Sequence, residues 1–164
     1  MSSSVTSFAT THVYEPLRSL RHIRLLVIDC CGTHAEPREP HYSLIQHELP
    51  SDGTRLNFEA ASYTWGRPDR VSALQIHEGL GQIGLTANLN QAIPHMRDQS
   101  RTKRLWIDQL CINQADDDER SAQVSLMSEI YKRATRVIVW LGLSDESSGI
   151  CKYVASVIYK QYEY

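Results

Sequence analysis

The amino-acid sequence predicts an α/β fold, a sandwich of helices around a largely parallel sheet with a β extension at its N-terminal side. Two observations predict the sheet. Short apolar runs at Phe58–Tyr63, Leu105–Ile107 and Val137–Leu141 have the length of buried strands, and stretches with helical apolar spacing separate them. Strand, helix, strand, helix in that order favours a parallel sheet with helices on its faces. A third observation predicts the extension: Ile23–Asp29 is another apolar, β-branched run, placed before the first of the three.

Along the chain, Met1–Thr11 is rich in Ser and Thr and lacks the basic start and apolar run of a secretory signal, so residues 1–13 are expected to be a flexible N-terminus and 14–164 the domain. Ile23–Asp29 then forms a strand. Thr33–Thr54, with its prolines and charges, is a loop holding a short strand around His41–His47. Phe58–Tyr63 is stopped by Thr64-Trp65-Gly66-Arg67-Pro68. Ala73–His77 and Gln82–Leu85 look like the arms of a hairpin. Thr86 or Asn88 caps a helix through about Arg97, with Leu89, Ile93 and Met96 on one face and Pro94 inside it. Leu105–Asp108 enters a polar stretch, Gln109–Asp118. Asp116 and Glu119 then have capping-box spacing, at the head of a helix whose apolar face is Val124, Met127, Tyr131 and Ala134. Val137–Leu141 closes at Gly142, and Ile150–Tyr159 is a further helix.

The 164 residues are 41% hydrophobic, enough for one domain with its own core. Seventeen Lys and Arg against nineteen Asp and Glu leave a net charge of −2, which argues against nucleic acid as the partner. No stretch approaches the roughly 18–20 apolar residues of a membrane span, so a soluble protein of the cytoplasm is expected. Cys30, Cys31, Cys111 and Cys151 show no C-x-x-C spacing and are expected to be free thiols. The seven histidines contain no i, i+3 or i, i+4 pair on a predicted helix, and no metal is assigned.

In a parallel sheet the loops that follow the strands share one edge, where ligands bind. That edge gathers Ser62–Gly66, Asp108–Gln114 and Gly142–Asp145. The candidate ligand-binding residues are Ser62, Tyr63, Trp65, Gly66, Asp108, Asn113 and Gln114: carboxylate and amide groups suit ribose hydroxyls, and an aromatic face suits a flat ring. The same residues have a plainer use. Tryptophans at 65, 106 and 140 suit a core, Asp108 can hold its own loop, and Glu119 and Arg120 suit a cap and a surface charge.

Ala60-Ala61-Ser62-Tyr63-Thr64-Trp65-Gly66 resembles the opening motif of the fungal heterokaryon-incompatibility (HET) domain, ALSYxWG. Leu105–Gln114, LWIDQLCINQ, resembles its second motif, through Trp106, Cys111 and Ile112. Glu119, Arg120, Gln123, Met127, Tyr131, Trp140 and Gly142 continue the pattern, and the resemblance runs from about Tyr14 to Gly142. HET domains usually close with a block holding an Arg-x-Trp and a Gln-Glu pair. Nothing after Gly142 resembles it, so the domain is expected to be incomplete at its C-terminal end. The resemblance implies a TIR-like three-layer sandwich and an intracellular self/non-self recognition module linked to regulated cell death, acting by self-assembly or through a protein partner, with no cofactor. It also implies an alternative, a TIR-like NAD hydrolase, with NAD as substrate and a catalytic acid late in the chain or outside it. No catalytic residue is assigned on either reading.

Overall fold

Strand β1 (His22–Asp29) is interior to its sheet, with a paired strand on each side, and is buried on both faces, with Ile23, Leu25, Leu26 and Ile28 all in the core. The computed structural model describes residues 11–29, 39–77 and 81–143. Strand β2 (His41–Glu48) pairs antiparallel with β1, from His22 opposite Glu48 to Asp29 opposite His41. Strands β3 (Leu56–Tyr63), β6 (Arg104–Trp106) and β7 (Ala134–Trp140) complete a five-stranded sheet in the order β2-β1-β6-β3-β7. Strands β4 (Arg70–Gln75) and β5 (Gln82–Thr86) form a separate antiparallel pair, as the hairpin pattern predicts.

The three apolar runs are adjacent and parallel as expected, with β3 between β6 and β7. The sheet as a whole is mixed rather than largely parallel, since β1 runs antiparallel to both β2 and β6. The reason lies in the connections. Parallel strands need a crossover, which helix α1 (Ala87–Gln99) supplies from β3 to its neighbour β6 and helix α3 (Asp117–Arg133) from β6 across β3 to β7. No helix intervenes between β1 and β2 among the described residues. Apolar runs reveal strands but not their direction.

Helix α1 starts where Thr86 accepts a hydrogen bond from the Leu89 amide, and it buries Leu89, Ala92, Ile93 and Met96. Pro94 sits inside it on the exposed side. Asp116 caps α3 by accepting from the Glu119 amide at 2.9 Å, while Asp117 and Asp118 follow in the first turn and Lys132 and Arg133 end the last, matching the helix dipole. Two expectations fail here. Val124 is 55% exposed, and the buried stripe instead runs through Gln123 and Ile130 with Met127 and Tyr131 half-buried beside it. A glutamine holds a core position because its Nε2 donates to the His22 carbonyl at 2.9 Å, which an apolar count overlooks. The stretch expected to be a loop after Ile107 opens with one helical turn, α2 (Asp108–Cys111).

At the N-terminal end of the described residues, Thr11 bridges to Gln82 and His12 is buried, its amide donating to the Gln82 carbonyl at 2.9 Å, so these two residues dock on β5. The helix expected at 150–159, and Cys30, Cys31 and Cys151, lie outside the described residues.

Candidate functional site

The two motif segments meet at the carboxyl ends of β3 and β6. Asp108 opens α2 directly after β6, and its Oδ2 accepts a hydrogen bond from the Trp65 indole at 2.8 Å. Its Oδ1 accepts from the Gln109 amide at 2.7 Å, and its carbonyl accepts from Gln114 Nε2 at 3.0 Å. Burial pushes the Asp108 carboxyl above its ordinary range, against the opposing pull of the Trp65, Gln109 and Tyr63 donors. The Tyr63 hydroxyl lies near that carboxylate, without a hydrogen bond of normal geometry, and burial followed by the Asp108 charge pushes its ionisation strongly up.

The turn that carries Trp65 is fixed from the other side. Gly66 adopts φ +70°, a left-handed conformation that suits glycine. Asn88 Nδ2 donates to the Thr64 carbonyl, and the Asn88 side-chain oxygen accepts from the Trp140 indole at 2.9 Å. Trp140 stacks on His95 with ring centroids 4.8 Å apart. Asn88 thus ties the first motif to β7. Gly142, at φ +100°, turns the chain just beyond that strand.

Most other motif residues are engaged in packing or in hydrogen bonds within the fold. Trp106 is fully buried and meets Tyr131 edge-on at 5.8 Å, while the Tyr131 hydroxyl donates to the Ala61 carbonyl at 2.9 Å. Ile112 is buried. The Asn113 amide donates to Glu119 at 2.7 Å and its side-chain oxygen accepts from the Ala115 amide at 3.2 Å, so Asn113 shapes its own loop. Arg120 donates to the Gln114 carbonyl at 3.2 Å and pairs with Asp117 at 2.9 Å. Ser62 is half-buried on β3 opposite Val139 and takes no part in the bonds around Asp108.

Cys111 is fully buried, and burial pushes its thiol up to about 12. In the folded protein it should react with iodoacetamide at least about tenfold more slowly than after denaturation, because the thiolate is the nucleophile; mass spectrometry of timed samples checks this.

Two buried polar hubs escaped the sequence reading. Arg24, in β1, forks onto Glu119 at 2.5 and 2.9 Å. Glu59, in β3, accepts from Ser100, Arg101, Thr102 and Arg136. A charged residue inside an apolar strand run is the signal that marks each. Among the described residues, no group of three or more His, Cys, Asp or Glu is placed to hold a metal, and no helix is long and apolar enough to cross a membrane. A cleft of about 540 Å³ lies elsewhere, lined by Glu39, His41, Tyr42, His77 and Arg97, and includes none of the motif residues.

Comparison with known proteins follows this geometry. Residues 58–163 match the family described as heterokaryon incompatibility protein (HET). The chain is 37% identical over 113 residues to "Heterokaryon incompatibility protein 6, OR allele" of Neurospora crassa, a match covering 62% of this chain and 17% of that protein. The chain therefore spans about a sixth of that relative's length. No solved structure matches.

Proposed function

The chain belongs to the heterokaryon incompatibility (HET) family, and from that footing we propose that it is a fungal, cytoplasmic self/non-self recognition module that signals towards regulated cell death by assembling with itself or a protein partner. The observation that carries the assembly reading is the β7 margin. Among the described residues strand β7 ends the sheet order, and Val137, Val139, Leu141 and Leu143 are exposed along it and just after it. Edge strands with apolar side chains are sites of pairing and docking. Several of the motif polar groups, in contrast, are spent on one another: Asp108 holds Trp65, and Gln114 holds Asp108. In sedimentation velocity the wild-type chain should associate as concentration rises, and Val139→Glu should remain monomeric, since a charge on an apolar docking face must be desolvated. Equal association of both chains would remove the edge from the account.

A second reading, a TIR-like three-layer fold with NAD hydrolase activity, draws on a different observation. Gln109 Nε2 is a buried polar atom without a hydrogen-bond partner, and the Tyr63 hydroxyl, close to the raised carboxyl of Asp108, makes no hydrogen bond of normal geometry. Those are groups that a ribose or amide would satisfy. Glycosidic cleavage passes through an oxocarbenium-like state that a free carboxylate stabilises, and Asp108 is already engaged by two donors. Little or no nicotinamide should be released when the purified chain is incubated with NAD and followed by chromatography. Turnover that vanishes in Asp108→Ala would establish the enzymatic reading instead.

A further inference from the structure

We propose that His41 and His77 form a two-histidine site for a first-row divalent metal ion of the zinc, nickel and copper group, in the cleft beside the hairpin. Their Nδ1 atoms lie 3.2 Å apart, and their rings are 4.5 Å apart between centroids. Two imidazole nitrogens at about 2.0–2.1 Å from a tetrahedral ion stand roughly 3.3 Å from each other, so the observed separation is the bite of a chelating pair. As an alternative to a metal, one ring would have to donate to the other across this gap.

The pair is preset by the backbone rather than by a flexible encounter. His41 begins β2 and His77 follows β4, and the residues beside them, Tyr42 and Ile76, form a parallel bridge between the two sheets. The His77 amide donates to the Tyr42 carbonyl at 2.7 Å. Tyr42 and Ile76 are buried, so the two main chains are anchored in the core while both imidazoles remain exposed to incoming ions. Preorganised ligands lose less freedom on binding. Both histidines line the 540 Å³ cleft, which leaves room for the remaining coordination positions. Glu39 is the carboxylate on the same cleft wall. Arg97, the cation there, is engaged by Asp98 at 2.9 Å. Imidazole donors suit zinc, nickel and copper rather than magnesium or calcium. Among the described residues two protein ligands are supplied, which leaves coordination positions for water or an external ligand. The sequence hides it because 36 residues separate the pair and strand pairing, not helical spacing, brings them together.

The untagged chain is dialysed against chelator and titrated with zinc by calorimetry, together with His41→Ala, His77→Ala and the remote control His47→Ala. Wild type and His47→Ala should take up one equivalent, while either site variant should lose at least about tenfold in affinity, as loss of a first-sphere donor costs no less than loss of its supporting partner. Zinc should also raise the melting temperature of wild type and not of the site variants, because it ties β2 to β4. Imidazole nitrogen spectra of the wild-type protein test the same point without a variant: two Nδ1 signals should shift on adding zinc. Uptake that is unchanged in both site variants, or zinc-dependent shifts spread over the other histidines, would identify an adventitious ion only and overturn the site.

Discussion

Glu119→Ala should destabilise the domain by about 3–5 kcal/mol, the cost of leaving a buried charge unpaired. The orphaned charge is Arg24, 3% exposed against 10% for Glu119. Its guanidinium binds both carboxylate oxygens, the carbonyls of Cys111 at 3.1 Å and Glu15 at 2.5 Å, and it lies 5.0 Å over the Tyr14 ring. Glu119 also receives the Asn113 amide, so one carboxylate joins β1, the second motif and the start of α3. At roughly 2–4 °C per kcal/mol the melting temperature should fall by roughly 6–20 °C. Denaturant titration checks the energy. Arg24→Lys should not be tolerated as conservative, because an ammonium lacks the planar fork, whereas replacing both partners by apolar residues of similar length should recover most of the loss. A decrease below about 1 kcal/mol in Glu119→Ala would place the pair among exposed ion pairs.

Glu59→Ala should cost about 3 kcal/mol or more, since the Ser100 hydroxyl and the Arg101 and Thr102 amides lose their common acceptor at about 1–3 kcal/mol each. Glu59 is 1% exposed, in the strand between β6 and β7. Burial alone would raise its carboxyl, yet the hydrogen bonds from Ser100, Thr102 and Arg136 outweigh it and hold the group below the usual 4.5. The sign follows from linkage. Around the usual glutamate value the unfolded chain takes up a proton that native Glu59 refuses, so its contribution is present above that value and lost as pH falls through the lowered one. Stability measured from pH 6 down to pH 3 should therefore decline in wild type and decline less steeply in Glu59→Gln.

Both hubs show where the sequence was legible and where it was not. Every strand of the main sheet except β2, a more polar segment expected only as a short strand within a loop, is visible as a short apolar or β-branched run, and the caps at Thr86 and Asp116 are visible as side chains that accept amide hydrogens. The direction of β1 was hidden, because an apolar run looks the same in either orientation. Gln123 was hidden because a buried amide with a carbonyl partner breaks the apolar stripe that periodicity seeks. Of the candidate residues, Trp65, Asp108 and Gln114 do converge, while Ser62 stands apart from the bonds around Asp108. Its use was harder to see. Glu119, which suited a surface cap, turned inward to Arg24, and Asn113 was spent on its own loop. Residue type and spacing locate polar groups at a sheet edge, but their hydrogen-bond partners come from distant strands.

On the proposed reading this module signals by assembly at the β7 margin, and Asp108 acts as a clamp for Trp65 rather than as an acid in catalysis. Inducible expression in a filamentous fungus, with surviving cells counted after induction, tests it most directly. The account predicts that wild type and Asp108→Asn both reduce survival, since the asparagine oxygen still accepts from the Trp65 indole, and that Val139→Glu does not. Survival restored by Asp108→Asn, with Val139→Glu as lethal as wild type, would contradict it.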